Sequence, residues 1–258
     1  MINNNRKNFK IKLTRALSGA LLVSTVITAN GCTKEVEVCP ITAQELQYAD
    51  RYDDQFGILI NNNYGISKEQ MTSINLVKTT DVNNKEVYLQ ADALKAFNAL
   101  QAALAQKGYK IGINTGFRSY QDQADIYDEI VKSNGKEYAD SYVAPVGKSE
   151  HHTGLAIDVY IDRDFVFGKQ IPLNFNPKYQ ATRKAMYEIM ANYGFILRYP
   201  EGKEAITGYP AEAWHIRYVG PELAKLLTAK NLTLEEYYET LYQYKNGAVV
   251  SQEQEACN

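Results

Sequence analysis

Ser149-Glu150-His151-His152-Thr153-Gly154-Leu155-Ala156-Ile157-Asp158 is the stretch from which the rest of the chain is read. The 258 residues hold only three histidines, and two of them are here. The third, His215, closes a second cluster, Glu212-Ala213-Trp214-His215. A lone histidine near a strand end is most often an ordinary polar residue. Histidine gathered beside carboxylates reads differently. Two imidazoles and one carboxylate, with a fourth position left to water, are a common ligand set for a catalytic zinc.

The local pattern says how these groups can meet. Leu155, Ile157, Val159 and Ile161 alternate with Ala156, Asp158 and Tyr160. That alternation predicts a strand with one apolar face and Asp158 on the other. Trp214 to Val219 reads as a second strand, on which His215 and Arg217 share a face. If the two strands are neighbours, Asp158 and His215 converge, and a histidine from the turn before the first strand bends over the same spot. Adjacent side chains in an extended segment point opposite ways, so one of His151 and His152 reaches the metal and the other does not. Spacing does not choose between them. Glu212, three residues before His215 in a loop after Pro210, can take a proton from metal-activated water and deliver it to a leaving amine. Taken alone, it reads as a surface carboxylate.

Around these clusters the elements alternate without a βαβ rhythm. Leu94, Phe97, Leu100 and Leu104 recur at helical spacing and predict a helix from Ala91 to about Gln106. Tyr109 to Asn114 reads as a strand, and Gln121 to Lys132 and Glu137 to Tyr142 as helical. Asp162 to Tyr179 reads as a loop, Ala181 to Tyr193 as a helix, and Phe195 to Arg198 as a strand. Pro200 to Pro210 is a turn-rich link. Pro221 to Ala229 and Leu234 to about Tyr244 read as closing helices. Val87 to Leu89 is a further strand candidate, and Ile58 to Ile60 reads as a strand end running into the turn Asn61-Asn62-Asn63. The class is α+β, a small, mostly antiparallel sheet flanked by helices.

Composition sets the outer bounds. With 45% hydrophobic and 22% charged residues, the chain can bury one sizeable core. A net charge of -2 points to no nucleic-acid partner. Tyrosine, at 20 residues against one tryptophan, suits a wet groove for a polar ligand and ordinary packing equally. Residues 1–31 read as an export signal, with a basic start and an apolar run from Ala16 to Ala29 too short for a comfortable membrane span. The run ends in Thr28-Ala29-Asn30-Gly31-Cys32, which resembles a bacterial lipoprotein signal with Cys32 as the lipidated residue. Residues 32–54 then read as a tether, 55–245 as the folded domain and 246–258 as a polar tail. Plain secretion and an uncleaved anchor are the other readings of the leader, and all three export the domain. Cys39 and Cys257 stand either as a disulfide between the ends or as two free thiols.

Ser149-x-His151-x-x-Gly154-x-Ala156-x-Asp158 followed by Glu212-x-Trp214-His215 resembles the signature of the VanY-type D-alanyl-D-alanine carboxypeptidases. These are zinc peptidases of bacterial cell walls, related in fold to the zinc-binding domain of hedgehog proteins. The likeness extends to Gly116-Phe117-Arg118-Ser119-Tyr120-x-x-Gln123, to Leu197-Arg198-Tyr199-Pro200-x-Gly202-Lys203 and to Arg217-Tyr218-Val219-Gly220, covering roughly Ile58 to Lys230. The resemblance implies that His151, Asp158 and His215 bind zinc, with Glu212 the catalytic base. It also decides for His151 over His152, which fills a position that is often Gln. Ala213 stands where the family often has Pro.

What the resemblance implies for function is removal of the terminal D-alanine from peptidoglycan stem peptides, as a D,D- or L,D-carboxypeptidase. The alternatives are an endopeptidase of the same fold and a non-catalytic zinc-containing wall-binding module. Such an enzyme must hold a free carboxylate, and Arg118 offers a two-pronged donor. Ser119, Gln123 and Ser149 are candidates to bind the peptide. Arg217 is expected either to polarise the scissile carbonyl or to support the metal ligands. The protein is expected to be monomeric and to face the cell wall from a lipid anchor.

Overall fold

The computed structural model describes Ile41, Glu45, residues 56–161 and residues 177–245. The expected leader 1–31, most of the tether, the tail and all three cysteines lie outside the described residues. A short helix α1, Lys68–Thr72, is opened by a capping box between Ser67 and Gln70. Strands β1, Leu76–Thr80, and β2, Glu86–Gln90, form an antiparallel pair. Helix α2, Ala91–Gln106, follows, then strand β3, Ile111–Thr115, and helices α3, Tyr120–Asn134, and α4, Lys136–Tyr142. A 3₁₀ turn at Glu150–Thr153 leads into strand β4, Ala156–Ile161. Helix α5, Pro177–Ile189, runs through a 3₁₀ turn, Met190–Tyr193, into strand β5, Phe195–Tyr199. The short helix α6, Glu204–Thr207, precedes strand β6, Glu212–Tyr218, and helices α7, Pro221–Ala229, and α8, Leu234–Lys245.

The second sheet is antiparallel throughout, in the order β3-β4-β6-β5. Period-two alternation gives it two different faces. Ile111, Ile113, Ile157, Val159, Phe195, Ile216 and Tyr218 join the apolar side of α2 (Ala93, Phe97, Leu100, Leu104) in the main core. The opposite face carries Asp158, His215, Arg217 and Arg198, all buried. A sheet buried on both sides that keeps its charges on one of them needs those charges paired. That face is where the site is built.

Several expectations are corrected. Pro177 to Tyr179 belong to α5 rather than to a loop; Pro at the first helical position costs no intrahelical hydrogen bond. Residues 162–176, also expected as loop, lie outside the described residues. Ile58 to Ile60 do not form a strand. The carbonyls of Ile58 and Ile60 accept instead from the guanidiniums of Arg217 and Arg198, at 2.8 and 3.3 Å. The α1 helix and strand β1 were not read from the sequence. The Ser67/Gln70 capping box could have signalled the first. The second has no long apolar alternation to betray it, and only its partner β2 defines it.

Candidate metal centre and active site

Asp158 on β4 stands directly opposite His215 on β6. Asp158 Oδ1 lies 3.1 Å from His215 Nδ1, and its Oδ2 lies 3.4 Å from His151 Nε2. One ligand atom from each of His151, Asp158 and His215 falls within 4.8 Å of the other two, and all three residues are buried. The two imidazoles meet edge to face, 5.0 Å between centroids. Two imidazoles and a carboxylate are a donor set that suits zinc, so the residues present fit such an ion.

His151 and His152 part company because they sit in a tight turn, not in the extended segment expected. Thr153 bolts this turn, its hydroxyl donating to the Glu150 carbonyl at 2.6 Å and accepting from Leu155 N–H at 3.1 Å. Gly154 leaves it at φ +67°, where a Cβ would come within 2.6 Å of Leu76. His151 Nδ1 donates to the Gly116 carbonyl at 2.7 Å. Since a carbonyl only accepts, the proton sits on Nδ1 and Nε2 presents a bare lone pair toward Asp158. His152 turns away. Its Nδ1 donates to the Arg118 carbonyl at 2.8 Å, its Nε2 accepts from Gly147 N–H at 3.1 Å, and its ring stacks on Tyr120. Both its nitrogens are occupied, which makes it a strut between two loops.

Glu212 reaches the site through an irregularity in pairing. Leu197 pairs with Ile216, but Tyr199 pairs with Glu212. Three residues of β6 therefore lie between these pairs where β5 has only Arg198. Regular alternation would put residues 212 and 215 on opposite faces; the bulge re-aims Glu212. Its Oε2 lies 3.6 Å from His215 Nδ1, and about a fifth of the side chain remains exposed. Burial pushes its carboxyl up to about 7; His215 pulls against this and Asp158 adds to it.

The other groups are perturbed in a consistent way. Burial, then Arg118, holds His151 down at about 4, against Asp158. Burial opposes a proton on His215, but hydrogen bonds to Asp158 and Glu150 outweigh it and lift His215 to about 9. Burial would raise Asp158, yet His151, His215 and Arg118 hold it well below the usual carboxylate range.

The expected substrate groups divide. Arg118 Nη2 donates to Asp158 Oδ2 at 2.9 Å, while its buried Nε has no partner among the described residues. Gln123 is 1% exposed; its Nε2 donates to the Ala144 carbonyl at 2.8 Å, and its buried Oε1 has no partner among the described residues. Ser149 is buried and its side chain makes no cap bond. Ser119 is committed elsewhere: its hydroxyl accepts from Asp122 N–H and donates to Asp122 Oδ2, capping α3. Arg217 is fully buried. Its guanidinium is taken up by Glu150 and by the carbonyls of Phe56, Ile58 and Tyr218. Tyr199, tilted against His215 at 5.0 Å between centroids, and Tyr209, bonded to Asn62, are buried packing groups. A cavity of about 570 Å³ opens beside β6, with Arg183, Lys184, Tyr187, Tyr199 and Ala213 among its walls.

Sequence reasoning missed Glu150. It is 2% exposed and reaches His215 Nε2 at 3.3 Å, Arg198 Nε at 2.7 Å and Arg217 Nη1 at 2.6 Å. Burial would raise its carboxyl, but Arg217 and Arg198, with His215, hold it well below the ordinary range. Its place within the quoted decapeptide was visible; its burial was not.

The profile of a family described as VanY, D-alanyl-D-alanine carboxypeptidase, matches residues 86–221. Among curated proteins, the bifunctional D-Ala-D-Ala dipeptidase and carboxypeptidase VanXYC of Enterococcus gallinarum is 37% identical over 185 residues, 72% of this chain and 94% of that one. The putative carboxypeptidase YodJ of Bacillus subtilis (strain 168) is 34% identical over 187 residues, 70% of this chain. The chain spans 66% of that relative's length. Among solved structures, the LdcB LD-carboxypeptidase is 34% identical with TM-score 0.60, covering 70% of this chain and 85% of that one. A variant of the vancomycin-resistance D,D-pentapeptidase VanY, solved with Zn(II), is 28% identical with TM-score 0.58, covering 70% and 98%.

Proposed function

The chain belongs to the VanY family of D-alanyl-D-alanine carboxypeptidases, and from that premise we propose that it is a zinc carboxypeptidase that removes the terminal D-alanine from peptidoglycan stem peptides. The observation that carries this reading is the buried convergence of His151, Asp158 and His215 with Glu212 beside them. His151 Nε2, an Asp158 oxygen and His215 Nδ1 are the proposed ligands. When bound there, zinc would polarise the scissile carbonyl and make water a nucleophile near neutral pH.

The rest falls to the chain's own groups. Glu212, with its carboxyl raised to about 7, takes the proton from the attacking water and returns it to the leaving amine. Arg118, whose Nε is unpartnered, and Gln123, whose Oε1 is unpartnered, supply a donor and an acceptor for the terminal residue's carboxylate and amide. Ser149 is a third polar neighbour for the peptide.

The export-type leader and the wall-acting family support a place outside the cytoplasm, and in this proposal Cys32 is the lipid-bearing residue and residues 32–54 the spacer that lets the domain reach the wall. Among the described residues no helix is long and apolar enough to cross a membrane. In the lipoprotein reading the anchor is Cys32, and Cys32→Ala should move the protein from the membrane to the soluble fraction.

The deciding experiment gives purified protein defined penta- and tetrapeptide muropeptides and reads the products by mass. Loss of one alanine from the pentapeptide supports D,D-carboxypeptidase action, and loss from the tetrapeptide supports L,D-carboxypeptidase action. Internal cleavage would favour the endopeptidase reading. Stoichiometric zinc with muropeptide binding but no cleavage would leave a wall-binding module.

A further inference from the structure

Glu150 ends a buried chain of charges that begins on α8. Arg198 donates through Nε to Glu150 and through Nη1 and Nη2 to both oxygens of Glu235 on α8, at 2.9 and 2.6 Å. Asn61 Nδ2 donates to Glu235 Oε1 at 3.0 Å. Arg217 donates to Glu150 and to the carbonyls of Phe56 and Ile58. The side chains of Glu150, Arg198 and Arg217 are fully buried, and that of Glu235 is 12% exposed. Two guanidiniums balance two carboxylates, which is what allows the group to sit in the interior.

We infer that Glu150 is a positioning residue that fixes the metal-facing nitrogen of His215, and that Arg198 and Glu235 hold it in place. The inference rests on the proposed zinc site. A carboxylate clamped by two arginines can only accept, so the His215 nitrogen facing it must carry the proton. That nitrogen is Nε2, at 3.3 Å. The lone pair is then left on Nδ1, the atom that lies 3.1 Å from Asp158 and 3.6 Å from Glu212. His151 has its own outer partner in the Gly116 carbonyl, so each imidazole is held from behind, by chemically different means. The His215 support draws on residues outside the span matched to the family, since residues 56–61 precede 86 and Glu235 follows 221.

The test uses the full chain loaded with zinc. With three histidines in the sequence, long-range ¹⁵N–¹H correlation can be assigned ring by ring. The expected result is a proton on His215 Nε2 and a metal-shifted Nδ1. A proton on Nδ1 would overturn the inference, and this measurement needs no variant to fold. Glu150→Gln keeps the volume but removes the charge; its zinc affinity, read by chelator competition, should fall about 10–100-fold, with Glu150→Asp recovering part of the loss. Wild-type affinity in Glu150→Gln would also overturn it, while leaving the metal reading intact. A wild-type chain that holds no stoichiometric zinc would sink both. Glu235→Gln touches none of the proposed ligands yet should lower affinity in the same direction; no change there would strike out the part assigned to α8.

Discussion

Glu212 Oε2 lies 3.6 Å from His215 Nδ1, although three residues of regular strand would put the two side chains on opposite faces. The pairing shift between Leu197 and Tyr199 brings them together. A bulge at this place does what a loop residue could do only loosely: it aims a carboxylate from a rigid element. The Ala213 backbone is fixed from behind, its carbonyl accepting from Tyr187 Oη at 2.7 Å. Where the family often has Pro, a hydrogen bond to α5 steadies the strand in this chain.

Glu212→Gln removes the proton acceptor and leaves the ligand set untouched. Hydrolysis of the preferred muropeptide should drop by about 10²–10⁴-fold in kcat, with zinc stoichiometry unchanged. Unchanged turnover would falsify the role given to Glu212.

Arg118 has one arm on Asp158 and a free Nε. If it grips the terminal carboxylate, Arg118→Met should raise KM by about tenfold to a hundredfold on natural stem peptides, the worth of a charge-assisted hydrogen bond. Peptides amidated at the C-terminus should be poor substrates for wild type and variant alike. A variant that loses the same factor on amidated and free peptides would show Arg118 acting only through Asp158.

Ser119 closes a capping box with Asp122 at the start of α3. Ser119→Ala should cost about 1 kcal/mol of stability, seen in denaturant unfolding, because one helix N–H loses its acceptor. Its kcat/KM should stay near wild type. A large fall in kcat/KM without loss of stability would return the hydroxyl to substrate binding.

Gly116 is hemmed in by backbone. A Cβ there would sit 2.7 Å from the Tyr88 carbonyl oxygen and 3.2 Å from Leu89. Its own carbonyl holds His151. Gly116→Ala should therefore destabilise the fold by about 1–3 kcal/mol and weaken zinc binding together, read by thermal melts with and without metal. Wild-type zinc affinity in a destabilised variant would show that the His151 contact tolerates the shift.

The long elements were legible because their periodicity is local. Ala91–Gln106 and Pro221–Ala229 come out at their expected bounds, since apolar spacing and turn signals alone define them. The shared surface of Asp158 and His215 was legible as a condition, given two alternating strands. Strand adjacency was not, because no short-range signal says that β4 lies beside β6 rather than β5. The His151 choice needed the family likeness; the turn geometry that separates it from His152 depends on Thr153 and Gly154 folding back.

By itself, the sequence determined which residue types could make the site and on which face of their strands Asp158 and His215 stood, because alternation is a property of neighbouring peptide units. Only the tertiary structure decided that Glu150 would be buried behind His215, that Arg217 would serve it rather than a ligand, and that Glu212 would turn inward. Those outcomes depend on the charges of Glu150, Arg198, Arg217 and Glu235 and the polar groups of residues 56–61 being desolvated together, and the cost of burying each is settled only when all of its partners have arrived.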